Sequence, residues 1–402
     1  MDIMKEALAV EDYVIACRRY IHENPELSDK EDGTVAFIIK ELRSFGVECV
    51  DVPGGGVMGF IHGSKPGKSV LLRADIDALP VQEDTNNLKQ PKVCVSKVPG
   101  VAHMCGHDTH AAMLIGIAKI LNAHREEIAG EIVLYFERGE EAGHGEYYMN
   151  KYLQDNHIHV DSAWAQHVNA KLPVGQISVV AGGVYAGNLS FSATILGANA
   201  LACGVAVTNA LNNARMREIT PYERVTLSIN RLQYKEDQCA ISGTCRFYDF
   251  DKAATPMRKA IRRIFEETAN AYGCTFLKDV RTGISNRGVI NHPVCCNIIR
   301  DALEPIIGKE SIVENQPTMG AESFSVLSAY YPSVMVSTGV GNPEKGMYAN
   351  GHSPQFDPDE AGFKYGVAAG VAYALAFLKY DKPIEFTGFA GNIDEYLATN
   401  RG

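Results

Sequence analysis

The octapeptide HMCGHDTH, residues 103–110, sets three imidazoles, a thiol and a carboxylate directly before the apolar run 113–121. Imidazole and thiolate are ligands for divalent transition metals. Asp108 stands where an N-cap belongs, ahead of a helix with Leu114, Ile117, Ala118 and Leu121 on one face. Cys105 and His107 then precede the helix, and in extended chain residues i and i+2 point the same way. The two can converge on one point near the positive end of a helix, which favours thiolate. An i,i+3 pair of His107 and His110 on the helix itself is the other arrangement open to this stretch.

Four further stretches supply donors. LLRADIDALP ends an apolar run with Asp75 and Asp77, YFERGEEAGHG puts Glu140 and Glu141 just after another, and AWAQHV ends a third with His167. Ligands of open α/β sheets collect beyond the carboxyl ends of the strands, so three strands deliver acid and imidazole to one rim. A buried acid pair needs a cation or a shared proton. YANGHSPQF adds His352 in a loop rich in turn-forming residues. Singly, each of these residues has an ordinary structural explanation: adjacent glutamates are solvated, and a cysteine fills core. Together they point to a metal centre.

The elements that must position them are legible as patterns. Val14, Cys17, Arg18 and Ile21 recur at helical spacing, and residues 34–45 read as a second helix stopped by Gly46. Residues 57–63, 69–77, 130–136 and 161–168 are apolar runs of strand length. Helices alternating with such runs predict an α/β layer fold. From about residue 185 the pattern changes to one-faced alternation. Strands at 188–196, 224–232, 238–250 and 274–285 enclose helices at 203–217 and 251–273, the β-α-β-β-α-β order of a ferredoxin-like unit. The chain then returns to α/β, with a helix at 294–307, a strand at 332–339 and a closing helix at 360–379. The expected organisation is a catalytic domain, 1–184 and 291–402, with an inserted domain at 185–290.

A chain of 402 residues is long for one core. Its net charge of −10 and lack of a long basic run speak against nucleic acid and anionic membranes as partners. No uninterrupted apolar segment of membrane-spanning length occurs, and the first residues lack a signal-peptide layout, so the expected compartment is the cytoplasm. The ten cysteines are scattered and include no CxxC pair, which predicts buried thiols rather than disulfides or a zinc knuckle.

The stretches RRYIHENPELS, LLRADIDALP, HMCGHDTHAAMLIG, EEAGHG, QHV, GTCRFYD, MGAESFSVL and NGHSPQFDPDE occur in this order between residues 18 and 360. With them the chain resembles the M20 metallopeptidase family in its amidohydrolase branch, which includes hippurate, N-acyl-amino-acid and indoleacetyl-amino-acid hydrolases. The resemblance implies a zinc-peptidase-like catalytic domain with an inserted lid and dimerisation domain, hence a homo-oligomer acting on a small molecule. It implies Cys105, His107, Glu141, His167 and His352 as ligands of one or two ions of Mn, Zn, Co or Ni. It implies Glu140 as general base and Asp77 as the carboxylate orienting a ligand imidazole.

The chain also departs from that family. The family's GKGGHA stretch, whose histidine helps stabilise an oxyanion, is GANALA here, with Leu201 at the histidine position. QYKED replaces NVIPD, FERGEE replaces FQPAEE, and ESF replaces EDF, keeping Glu322. An unreplaced oxyanion donor costs about 2.7–4 kcal/mol in acyl transfer. Asn199 and Arg246 are candidates to replace it, and Arg246 and Arg287 are candidates to bind a substrate carboxylate. The alternative is a substrate without an amide carbonyl, such as an electron-poor aryl amine of the nitroanthranilate type, hydrolysed at the ring carbon with loss of ammonia.

Overall fold

The apolar runs form the middle of an eight-stranded sheet in the computed structural model, which describes residues 1–401. Across the sheet the order is Glu48–Val52, Gly56–His62, Ala129–Glu137, Lys65–Asp75, Ser162–Pro173, Ser333–Gly341, Ile177–Ser178 and Ile312–Val313. The four strands from Ala129–Glu137 to Ser333–Gly341 are parallel. Parallel strands covered on both faces lose the polar alternation, and Ser69 through Asp75 is buried without a break. The covering helices include His107–Ala123 and Phe363–Lys379, each buried over most of its length. The second, with the preceding turn from Glu360, is long and apolar enough to cross a membrane by composition, yet most of it is buried in this core. Trp164, the one tryptophan of the chain, is fully buried on a central strand.

Parallel pairing brings the strand ends to one rim. Asp75 lies opposite Glu137, and the loops that follow carry Asp77, Glu140 and Glu141. His167 departs from expectation. It lies within its strand, opposite Ser337, and the strand continues to Pro173 because Ser333–Gly341 keeps pairing beside it.

The chain divides into two units. The first comprises Met1–Gly182, Asn291–Asn315 and Leu327–Gly388; the second comprises Gly183–Ile290, Gln316–Val326 and the segment from Phe389. Within the second, Gly187–Leu196 pairs with Gln238–Phe247, which pairs with Val225–Lys235. The expected strand over 274–285 is instead two, Thr275–Phe276 and Arg281–Asn286, both on Gly187–Leu196. Helices Ala200–Glu218 and Thr255–Ala271 share one apolar core with this sheet.

Residues 316–326 and those from 389 onward thus depart from the expected partition. The cause at the C-terminus is Arg287. Its guanidinium carbon lies 3.7 Å from the Phe250 ring centre and 4.3 Å from that of Tyr396, and its Nε donates to Asn400 Oδ1. Arg258 donates to the carbonyls of Thr399 and Asn400. These contacts seat the helix Ile393–Arg401 on the second unit. Arg287, expected to bind a substrate carboxylate, is engaged within the unit instead. Replacing Arg287 by leucine removes a partly buried cation–π site of about 1–2 kcal/mol. Amide exchange at residues 393–401 is expected to accelerate accordingly while exchange at the first unit's central strands stays unchanged. Equal protection of 393–401 in variant and parent contradicts this account.

Candidate metal centre

The helix His107–Ala123 begins two residues earlier than its sequence signals indicate. Gly106 is the capping residue, at φ +96°, and His107 is the first helical residue. A Cβ on Gly106 would lie 2.4 Å from Val168 Cγ2, so only glycine lets this turn approach the strand carrying His167. Asp108 is not the cap. Its carboxylate is buried and accepts from Arg18 Nε at 2.8 Å, with His22 Nδ1 also at 2.8 Å. Burial alone would raise Asp108, but Arg18 and His22 hold it far below the usual carboxylate range.

Asp77 organises the front of the site. Its Oδ1 lies 2.9 Å from His107 Nδ1, and its Oδ2 accepts from Ser28 Oγ and from the Glu141 backbone N–H. Held by Nδ1, His107 presents Nε2 forward, where that buried atom has no hydrogen-bond partner. His167 is turned similarly: Nδ1 donates to the Val168 carbonyl, and Nε2 lies 3.4 Å from Cys105 Sγ. His352 Nε2 lies 3.2 Å from Glu141 Oε1. The His352 backbone, at φ +65°, is strained for a non-glycine residue and is held by donation to the Met104 carbonyl.

These donors form overlapping groups, each with its atoms within 4.8 Å of one another: Cys105, His107 and His167; Cys105, Glu141 and His352; His107, Glu140 and Glu141. Cys105 belongs to two of them, so the donors would hold one or two cations. The set of one thiol, three imidazoles and carboxylates fits Zn, Mn, Co or Ni. The unpartnered His107 Nε2 fits the same reading, because a buried imidazole nitrogen without a partner carries a desolvation cost that a cation removes. The helix end does not by itself yield the expected thiolate. Burial raises the Cys105 thiol more than His107 lowers it. Burial likewise pushes His107 down, but Asp75 and its other partners raise it well above the ordinary imidazole value.

Behind the donors runs a buried chain absent from the expected site. His110 Nδ1 lies 2.6 Å from Asp75 Oδ1, and the Val168 backbone N–H donates to His110 Nε2 at 2.9 Å. Asp75 Oδ2 accepts from Arg73 Nη1, and Arg73 Nε donates to Glu137. With both nitrogens engaged, His110 braces the peptide next to His167; Asp75, His107 and His110 form a further group with atoms within 4.8 Å of one another. The signal was present in the spacing. Asp75 and Asp77, two apart, match His110 and His107, three apart on a helix. His103 is buried with neither ring nitrogen partnered, and burial pushes it down to about 4. Glu31 accepts from the Gly139 N–H and so holds the loop bearing Glu140 and Glu141.

The remaining expected residues belong to the second unit, on separate elements. The Asn199 amide donates to the Tyr272 carbonyl. Arg246 lies on Gln238–Phe247 with Nη1 buried and unpartnered. Glu322 is buried and accepts from the Phe324 N–H.

A family model described as peptidase family M20/M25/M40 matches residues 71–376. Thermostable carboxypeptidase 2 of Saccharolobus solfataricus is 32% identical over 392 residues, 92% of this chain and 96% of that protein. N-acyl-L-amino acid amidohydrolase of Geobacillus stearothermophilus is 33% identical over 299 residues, 69% of this chain and 78% of that protein. The crystal structure of Bacillus subtilis YXEP, described as a dinuclear metal binding peptidase from the M20 family, matches with a TM-score of 0.79 at 28% identity, over 92% of this chain and 99% of that one.

Two predictions follow from the geometry. Outer partners of metal ligands contribute about 10–100-fold in affinity, so His110→Ala is expected to weaken divalent metal binding by that order, measured by chelator competition; unchanged affinity contradicts the bracing role. The second concerns pH. Burial pushes Glu31 up to about 7. Between the ordinary glutamate value and 7 the unfolded state has lost this proton and the folded state has not, so stability falls as pH rises through that window. Glu31→Gln removes this loss. The unfolding midpoint of the variant relative to the parent, followed by Trp164 fluorescence, is expected to rise from pH 5 to pH 7.5. A constant difference contradicts the assignment.

Proposed function

The chain belongs to peptidase family M20/M25/M40, and on that premise we propose that it hydrolyses the amide C–N bond of a small N-acyl amino acid, with Glu140 as general base. The observation that carries the reading is the convergence of Cys105, His107, Glu141, His167 and His352, with the Glu140 carboxylate in the same cluster. In this reading Cys105, His107 and His167 hold one divalent cation, and Cys105, Glu141 and His352 hold a second. A cation held there supplies Lewis acidity, lowering the pKa of water towards about 7 and polarising the carbonyl under attack. Glu140 takes the proton of the attacking water and returns it to the leaving nitrogen. Asp77 keeps His107 in the tautomer that presents Nε2.

The names of the relatives agree on the bond. A carboxypeptidase and an N-acyl-amino-acid hydrolase both cut an amide whose nitrogen belongs to a residue with a free carboxylate. Arg246, with its unpartnered buried Nη1, is the cation we assign to that carboxylate. Glu322 remains a candidate at the same recognition site. The ten free thiols suit a cytoplasmic enzyme, and the second unit, as in the family, is assigned to lid and oligomer formation.

Leu201 favours a second reading. A site without the histidine that stabilises a carbonyl oxyanion suits an electron-poor aryl amine. Attack at the ring carbon sends charge into the ring substituents, and ammonia leaves.

Chelation is expected to abolish hydrolysis, and Mn or Zn to restore it; full turnover after exhaustive metal removal excludes both readings. Glu140→Gln is expected to lower kcat by about 10²–10⁴-fold while metal content stays constant. Hippurate-like amides releasing amino acid support the first reading, and nitroanthranilate-like amines releasing ammonia support the second.

A further inference from the structure

The second unit carries a cation-lined hollow that the proposed chemistry does not use. It is open, about 310 Å³ in volume, and all of its lining comes from residues 192–281. Along Gly187–Leu196, Leu189, Phe191, Ala193 and Ile195 are buried in the core shared with the two helices, so Ser192 and Thr194 face the other way. That other face is the floor of the hollow.

Strand register explains what gathers there. Arg231 pairs with Ser242, Ser242 with Ser192, and Ser192 with Arg281. Directly paired residues of antiparallel strands share a face. The row therefore reads Arg, Ser, Ser, Arg across four strands, with about 14 Å between the outer two at ~4.8 Å per strand. Lys278 adds a third cation to the rim, and Asp279 is the only acid in the lining. Among the described residues none of the three cations is ion-paired; Arg231 donates to the neutral Gln233. Three like charges around one hollow repel each other, in a chain whose net charge is −10. An anion relieves that repulsion. Guanidinium forks match phosphate or carboxylate, and each serine hydroxyl between them can donate one hydrogen bond.

The geometry points to a binding site for a small molecule bearing two oxyanion groups, phosphate or carboxylate, one at each arginine with Ser192 and Ser242 between. The volume is at the lower end of the range of about 300–1,000 Å³ for small-molecule sites, which suits a diphosphate or a short dicarboxylate. Neither Arg246, Glu322 nor any donor of the metal centre lines it, so the inference stands apart from the hydrolytic reading.

Calorimetric titration of the full chain with inorganic pyrophosphate and with glutarate tests it, on metal-loaded protein and again after metal removal. The expected result is one site per chain that survives metal removal and weakens as salt is raised. It should weaken at least about tenfold in Arg231→Ser/Arg281→Ser, and Lys278→Gln should show a smaller loss. Stronger binding of pyrophosphate identifies phosphate as the recognised group; stronger binding of glutarate identifies carboxylate. Binding that vanishes with the metal, binding unchanged in the double variant, or no binding of either probe at millimolar concentration overturns the proposal.

Discussion

Asp75 and Asp77 leave the strand end two residues apart, and each grips one imidazole of the following helix. The rest of the centre depends on this double clasp. Two carboxylates and two imidazoles out of water carry a desolvation cost that only good geometry offsets, and the contacts at 2.9 Å and 2.6 Å supply it. The clasp fixes the first turn of the helix against the sheet, so His107 enters the site from rigid elements rather than from a loop. It also decides which nitrogen of each ring is left over. His107 leaves Nε2 to the centre, and His110 leaves Nε2 to the peptide beside His167. One pair of acids thereby sets the positions of two donors.

A second buried network stands behind the first. Arg18 and His22 meet Asp108, His22 reaches Glu83, and Glu83 accepts from Lys92 at 2.8 Å. Burial would raise Glu83, but His22 and Lys92 bring it down to about 2. The network ties the helix Glu11–Glu23 and the segment around Glu83 to the start of the helix His107–Ala123. Breaking such a pair from one side costs about 3–5 kcal/mol, because the remaining charge stays buried. The donors in front therefore rest on a frame of charges that cannot easily relax.

Much of this was legible where the pattern is local. Unbroken apolar runs gave the central strands, one-faced alternation gave the second sheet, and donor types near strand ends marked the rim. What was not legible depends on partners distant in sequence. Asp108 has the residue type and place of a cap, yet Arg18, ninety residues earlier, claims its carboxylate. His167 reads as a strand end until Ser333–Gly341 pairs alongside it and prolongs the strand. A helix end favours thiolate, but burial of Cys105 outweighs it. Arg287 has the chemistry of a carboxylate receptor, and three aromatic rings, two of them in the last fourteen residues, take it instead. Glu31 carries no distinctive spacing of its own; its role comes from the backbone N–H it holds.

Three of the four departures from the family, GANALA, QYKED and ESF, fall in the second unit; FERGEE, residues 136–141, falls in the first and keeps Glu140 and Glu141. Cys105, His107, Glu140, Glu141, His167, His352 and both clasping aspartates all come from the first unit. Their mutual distances and their hydrogen-bond partners are set within it. Leu201, Asn199, Arg246 and Glu322 all come from the second. Substitution there leaves the donor set and its supporting network untouched. On the proposed reading, a chain built this way can exchange the groups assigned to substrate recognition while keeping the groups assigned to water activation. The stretch GANALA carries Leu201 where the resembled family has a histidine, and it alters no carboxylate or imidazole of the centre.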